Sequence, residues 1–309
     1  MRKGIWLLVT ASLMLPVAAC GGGDELKGGS SGSSGDKSKP SLTVGSANFP
    51  ENVVLAEIYA QALKARGLDV QTKLNIGSRE AVFPALEKGD LNVLPEYSGA
   101  LLSYLTKAKS DAKEINAQVT DIKANLPDSL TVLTPSAAED KDTITCNKET
   151  VDKYGLTSIE DLAKVGDQIT IGGPPEFAKR EGFGIKALKR VYGAEFKKFQ
   201  PLDVAGPLTV AALKDNKVQC ANLFSTQSAI PANGFVTLED PKGLVEAEAV
   251  LPLIDKKSAT PDVTETLDAV SGKLTTDNLK ELVKRVEVDK DDAETVASDF
   301  IDEQGLGSQ

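Results

Sequence analysis

The chain has 309 residues, 45 acidic against 35 basic, no histidine, three cysteines and a single tryptophan. An acidic surface of this kind repels phosphate backbones, which argues against nucleic acid as a partner. The missing histidines exclude a Ser-His-Asp triad, histidine general bases and histidine-ligated zinc.

"MRKGIWLLVTASLMLPVAAC" opens with Arg2 and Lys3, continues through an apolar run from Ile5, and closes on Ala18-Ala19 before Cys20. That is the anatomy of an export signal. The run falls short of the ~20 residues that span a bilayer, which weakens the alternative of a transmembrane anchor. "VAAC" resembles the bacterial lipobox, and the resemblance implies lipidation of Cys20 with several chains, since one chain anchors a protein only marginally. Without Arg2 and Lys3, 33 basic residues face 45 acidic, a net charge near −12. Residues 21–40, "GGGDELKGGSSGSSGDKSKP", lack the apolar content to pack and read as a flexible tether. The folded part therefore begins near Ser41 and holds about 270 residues, enough for one large domain or two ordinary ones.

From there strands and helices alternate. "SLTVGSANF" reads as a strand that ends at Gly45-Ser46, and "PENVVLAEIYAQALKARGL" as a helix with Val54, Ile58, Ala62 and Leu63 on one face. "DVQTKLNI" is a second strand. "GSREAVFPALEKGD" is a second helix with Ser78 as its cap and an awkward Pro84 that should kink it or mark where its regular part starts. "LNVLPEY" and "SGALLSYLTKA" are a third strand and helix. Such alternation predicts a parallel sheet covered by helices, with ligands bound beyond the carboxyl ends of the strands. "GSANF", "IGSRE" and "PEYSG" then share one rim, and Tyr97 stands on it.

A second series follows "TPSAAEDKD" and predicts a second α/β lobe: "TITCNK", "SIEDLAKVG", "QITIGG", "FGIKALKRVYG", "TVAALKDNK" and "VQCANLFS". "GFVTLED" and "AVLPLI" are further strands. Three helices close the chain, the last two capped near Thr276-Asp277 and Asp291-Asp292. Cys146 and Cys220 lie in two strand-like stretches. In an oxidising compartment an even pair is expected to bond, the alternative being two buried free thiols.

"GSANFPENVVLAEIYAQAL", "GSREAVFPALEKGDLNVLPEYSGALLSYL", "GGPPEFAKREGFGIKALKRVYG" and "FQPLDV" resemble the substrate-binding proteins of ABC importers for glycine betaine, choline and related osmoprotectants. The resemblance implies a periplasmic-binding-protein-like (type II) fold, two α/β lobes joined by two crossovers with a ligand cleft between them. The crossovers fall near Ala137 to Asp142 and Lys242 to Glu248. Residues 41–138 form the first part of lobe one, 139–245 lobe two, and 246–309 the return to lobe one with the C-terminal helices. It also implies a lipid-anchored, monomeric, non-enzymatic receptor on the outer side of the cell membrane, without a cofactor, serving a permease and its ATPase.

A quaternary ammonium has no N–H to donate, so it is recognised by aromatic faces, and any carboxylate on it needs Arg, Lys or backbone N–H. Tyr97 matches the tyrosine of the family's "PEYTG"-like motif, one wall of its aromatic cage. Phe49 and Phe224 sit at strand ends and supply further faces, or are simply core. Arg180 is the candidate for a carboxylate contact or a bond across the cleft. Ser46, Asn48 and Ser78 are polar contacts or turn and cap residues. Phe177, Phe183 and Tyr104 read as packing. Where the family has an aromatic "FPPY"-like run, this chain reads "LEDPKGLVEAEAVLPL". The crossover thereby loses a tyrosine; either Glu246 or Glu248 supplies an electrostatic wall, or the pocket takes a different polar or aromatic solute. Two other classes of function remain: an enzyme on the same architecture, using Asp, Glu or Lys, and a surface adhesin or scaffold.

Overall fold

The computed structural model describes residues 41–245 and 247–307. The expected export signal, Cys20, the expected tether and Glu246 lie outside the described residues.

The chain opens with β1 (Leu42–Gly45), α1 (Pro50–Ala65), β2 (Val70–Lys73), α2 (Arg79–Glu87), β3 (Val93–Tyr97), α3 (Ser98–Thr106), α4 (Ile115–Asn125) and β4 (Leu130–Val132). It then builds β5 (Asp142–Cys146), α5 (Lys148–Tyr154), α6 (Leu162–Val165), β6 (Thr170–Gly173), α7 (Ile185–Tyr192), β7 (Lys198–Pro201), α8 (Pro207–Lys214), β8 (Cys220–Phe224), α9 (Ala229–Ala232) and β9 (Val236–Thr237). It ends with β10 (Val250–Asp255), α10 (Pro261–Ser271), α11 (Thr276–Lys284) and α12 (Ala293–Glu303). Two sheets result, ordered β2-β1-β3-β10-β4 and β7-β6-β8-β5-β9.

The expectation of a parallel sheet holds for β2, β1 and β3 but not for the whole. β10 lies antiparallel between β3 and β4, with Leu251 opposite Glu96 and Leu253 opposite Val132. The second sheet is mixed in the same way, because β5 runs antiparallel to β8 and β9. The physical reason is the path of the chain. It leaves the first sheet after β4 and returns from the opposite direction through β10, so each crossover strand is antiparallel to its neighbours.

α1 starts with Pro50, whose missing N–H costs nothing in a first turn, and Glu51. The expected face of Val54, Ile58, Ala62 and Leu63 is buried, and so are Leu55, Ala56 and Tyr59, because α10, α11 and α12 cover the side away from the sheet. Pro84 is accommodated within α2 without ending it. Thr275, one residue before the expected cap, opens α11 with a reciprocal capping box to Asn278, and Asp292 caps α12. A separate core fills the second sheet around Ile144, Ile171, Phe177 and Leu188. Cys146 and Cys220 face each other across β5 and β8 and are disulfide-bonded.

The two crossovers run side by side as a short antiparallel ribbon. Asp140 N donates to Glu248 O at 3.1 Å, and Val250 N donates to Ala138 O at 3.0 Å. Two adjacent strands thus connect the two lobes, the place where a hinge acts in proteins of this build.

Candidate functional site

The strand ends of the first sheet and the loops of the second enclose a cavity of ≈ 50 Å³. It shares Arg79, Ala100, Asp142, Arg180 and Glu248 with a groove of ≈ 730 Å³ alongside. A water needs roughly 10–15 Å³ measured this way, so the inner space takes a solute of a few water-sized groups.

Its apolar wall is aromatic. Phe49 is the last residue before α1, held extended there, and its ring centroid lies 4.9 Å from that of Phe224 and 6.0 Å from that of Tyr97. Phe49 and Tyr97 come from the first lobe and Phe224 from the end of β8 in the second, so the wall spans both. Asn52 braces it: Oδ1 accepts from Ala47 N at 2.7 Å and Nδ2 donates to Pro95 O at 3.1 Å, tying the first rim turn to β3. Tyr97 donates its hydroxyl to Glu51 Oε1 at 2.7 Å. Burial pushes the Tyr97 phenol well above its ordinary value, so it stays a donor.

The polar wall is rich in carboxyl groups. Arg79, at the start of α2, pairs with Glu96 through Nε (3.0 and 3.1 Å) and Nη2 (2.8 Å), a bidentate bond with both partners largely buried. Asp140, on the outgoing crossover, accepts from Thr226 N at 3.1 Å and Ser225 Oγ at 3.1 Å, and lies 3.0 Å from Thr226 Oγ1. Burial nevertheless pushes it up to about 7. Asp142 accepts from Asn222 Nδ2 at 2.7 Å. Glu248, on the returning crossover, takes the N–H of Ala100 at 3.0 Å and so caps the first turn of α3. Its burial holds it well above the usual carboxylate range. Gly99 makes this approach possible, for a Cβ there would sit 2.9 Å from Ala247 O and 3.0 Å from Glu248 Oε1.

Arg180 crosses the cleft. From the segment after β6 its Nε reaches Glu80 Oε1 on α2 at 3.3 Å, while Nη2 lies 3.8 Å from Glu176. The Glu80 carboxyl stays below its ordinary value: burial, the largest single influence, acts against this, and the Arg180 charge together with hydrogen bonds from Ser78 and Arg180 outweighs it.

Five of the seven ligand-contact expectations therefore line one cavity: Phe49, Ser78, Tyr97, Arg180 and Phe224. Ser46 and Asn48 do not. Ser46 Oγ is spent on Asn75 N at 2.9 Å, and Asn48 is exposed, with its backbone N–H bonded to Gly77 O. Both hold the first rim turn to the second. Phe177 is core, edge-on to Phe183, and Tyr104 packs on Phe83. Of the two glutamates weighed for the crossover, Glu248 lines the cavity. Asn52, Arg79, Glu96, Asp140 and Asp142 escaped the sequence reading. Arg79 and Glu96 lay inside quoted motifs, and their mutual pairing becomes visible only when α2 and β3 are brought together.

The family model described as the substrate binding domain of ABC-type glycine betaine transport system matches residues 40–303. The chain is similar to the glycine betaine-binding protein YehZ of Escherichia coli (strain K12), 29% identical over 278 residues covering 85% of this chain and 90% of that protein. It is also similar to the carnitine transport binding protein OpuCC of Listeria monocytogenes, 25% identical over 305 residues with 96% and 93% covered. A crystal structure of a glycine betaine/carnitine/choline ABC transporter shares the fold, with TM-score 0.65 and 20% identity over 86% of this chain and 100% of that one. A match of this extent, on a two-lobed α/β frame with its cavity at the interlobe strand ends, decides the family: the chain belongs to the substrate-binding proteins of ABC-type glycine betaine transport systems.

Proposed function

We propose that this protein captures a small quaternary-ammonium osmoprotectant, glycine betaine, choline or a relative, in the interlobe cavity and delivers it to the permease of an ABC importer. The observation that carries the reading is the wall of three rings, Phe49, Tyr97 and Phe224, facing buried carboxyl groups. Each desolvated ring face gives a cation about 2 kcal/mol, and neighbouring carboxylates add Coulomb attraction. Since both lobes supply rings, the ligand gains its full set of contacts only when the cleft is closed, which is how binding shifts the lobes toward closure. The work is differential binding, with no bond made or broken. In this reading the protein acts as a monomer outside the cytoplasm, held to the membrane by lipid on Cys20 and served by a permease and its ATPase.

The test is calorimetric titration of the full-length chain in detergent with glycine betaine, choline, carnitine and proline betaine, repeated on Tyr97→Ala. Saturable binding that the variant weakens by roughly 30-fold or more, the equivalent of about 2 kcal/mol, supports the reading. A folded protein that binds none of the four has a cavity suited to another polar or aromatic solute.

A further inference from the structure

The cavity holds more carboxyl groups than its two arginines answer. Arg79 is bound through Nε and Nη2 to Glu96, and Arg180 gives Nε to Glu80 at 3.3 Å while its Nη2 lies 3.8 Å from Glu176, beyond hydrogen-bond distance. Asp142 and Glu248 each receive a single hydrogen bond, from Asn222 Nδ2 to Oδ1 and from Ala100 N to Oε2. Among the described residues no donor reaches Asp142 Oδ2 or Glu248 Oε1. These two groups approach the cavity from the two crossovers, and Asp140 stands beside them.

We propose that Asp142 and Glu248 select a solute with net positive charge and no carboxylate, a choline-like alcohol cation over a zwitterionic betaine, and that the cation enters in exchange for a proton. The proposal rests on the quaternary-ammonium reading and narrows it. A betaine would bring its own carboxylate among Asp140, Asp142 and Glu248, where its negative charge cancels the drive to ionise these acids that its ammonium supplies. An alcohol cation brings a hydroxyl that can donate to Asp142 Oδ2 or Glu248 Oε1, and no charge that repels them.

The exchange follows from the groups facing one another. Glu248 from the returning crossover and Asp140 and Asp142 from the outgoing one are raised chiefly by burial. Glu96 on β3 is neutralised by Arg79 on α2, Arg180 lies near Asp142, and Glu51 on α1 stands behind Asp140. Without a ligand cation, this cluster holds protons that bulk carboxylates would have lost. A cation placed among them favours the ionised forms, so a proton leaves to solvent as the cation enters and the charge of the cavity is preserved. Affinity for the cation must then rise with pH across the neutral range.

The experiment is calorimetry of choline and of glycine betaine on the full-length chain at about pH 6 and about pH 8, in buffers of different ionisation enthalpy that report proton release directly. Choline is expected to bind at least about tenfold more tightly than glycine betaine, to release protons, and to tighten with pH. Asp142→Asn and Glu248→Gln should shrink the choline preference by about threefold or more each. Glu248→Gln retains a carbonyl oxygen for Ala100 N and so keeps the cap of α3. Binding of both ligands with equal affinity, or with glycine betaine preferred, overturns the proposal and leaves the osmoprotectant reading standing. Choline binding without proton release overturns the exchange. Failure of both ligands to bind a folded chain sinks the proposal together with the reading beneath it.

Discussion

Tyr97 donates to Glu51 Oε1 at 2.7 Å, and the other oxygen of Glu51 meets Thr226 Oγ1, from the second lobe, at 2.5 Å. The same Thr226 hydroxyl lies 3.0 Å from Asp140 Oδ1 on the hinge. A hydroxyl carries one hydrogen and cannot donate to two carboxylates at once. Both contacts are hydrogen bonds only if one carboxyl brings the second proton. Glu51, raised well above the usual carboxylate range by burial and then by the Asp140 charge, is the group that holds it. The aromatic wall, the hinge and the second lobe are thus joined through one shared set of protons.

Tyr97→Phe keeps the ring and removes the donor to Glu51. Stability should fall by about 1–2 kcal/mol, the usual cost of leaving a buried acceptor unmatched, while affinity for a quaternary ammonium stays within about threefold. Urea denaturation read beside calorimetry separates the two effects. A large loss of affinity in the Phe variant would mean that the hydroxyl itself touches the ligand.

The buried acids set the response to pH. Glu51, Asp140 and Glu248 all have raised folded values, so each keeps its proton in the folded state while the unfolded chain has already lost it. Each contribution is fully present below the ordinary carboxylate range and is lost as pH rises through that group's folded value, about 7 for Asp140 and well above the usual range for Glu51 and Glu248. The unliganded protein should melt several degrees lower at about pH 7.5 than at about pH 5.5, and Asp140→Asn should flatten that slope. An unchanged slope in the variant would remove Asp140 from the account.

Closure depends on a glycine. Gly182 of the second lobe lies against α3 of the first, where a Cβ would stand 1.8 Å from Ser103 Oγ and 3.0 Å from Ser103 Cβ. Rotating the serine hydroxyl relieves only the first clash. Gly182→Val should therefore hold the lobes apart, cutting ligand affinity by about tenfold or more with little change in the denaturation midpoint of the free protein. Small-angle scattering with saturating ligand would show an open radius if this holds. Arg180→Met removes the neighbouring ion pair to Glu80 and should cost only about twofold, since that pair is partly exposed and screened by salt.

Reduction of the Cys146–Cys220 bond should destabilise the second lobe. The bond closes a loop of 74 residues within one sheet, and its removal is expected to cost about 2–4 kcal/mol. Denaturation with and without a reductant measures this. The first lobe, built on its own core, should keep its midpoint.

Much of the architecture was legible from local signals. Period-two runs and period-3.6 runs placed β1, α1, β2, β3 and α3 within about three residues, because their patterns are set by one face meeting a core. α4 and β4 were passed over: "INAQVTDIKAN" buries only Gln118 and Ile122, and "LTV" is too short to alternate visibly. α1 showed one apolar stripe but is buried nearly all round, because the helices that cover its outer side arrive some 200 residues later in the chain.

The aromatic members of the cavity could be named in advance because Tyr97 and Phe224 end β3 and β8, Phe49 lies in the turn before α1, and the motifs that hold Tyr97 and Phe224 carry the family resemblance. Of its carboxyl groups only Glu248 could, as one of two glutamates on the returning crossover. Asp140 and Asp142 sit in a crossover whose sequence resembles any acidic loop, and only the pairing of the outgoing and returning strands brings them beside Glu248. The sequence by itself determined the alternation of elements, the two series that make two lobes and the rings at the rim, all of which follow from local pattern and turn chemistry. The tertiary structure decided which arginine answers which glutamate, which carboxyl groups are left to face a ligand, and where a proton must be shared, because those depend on distance and desolvation between residues far apart in the chain.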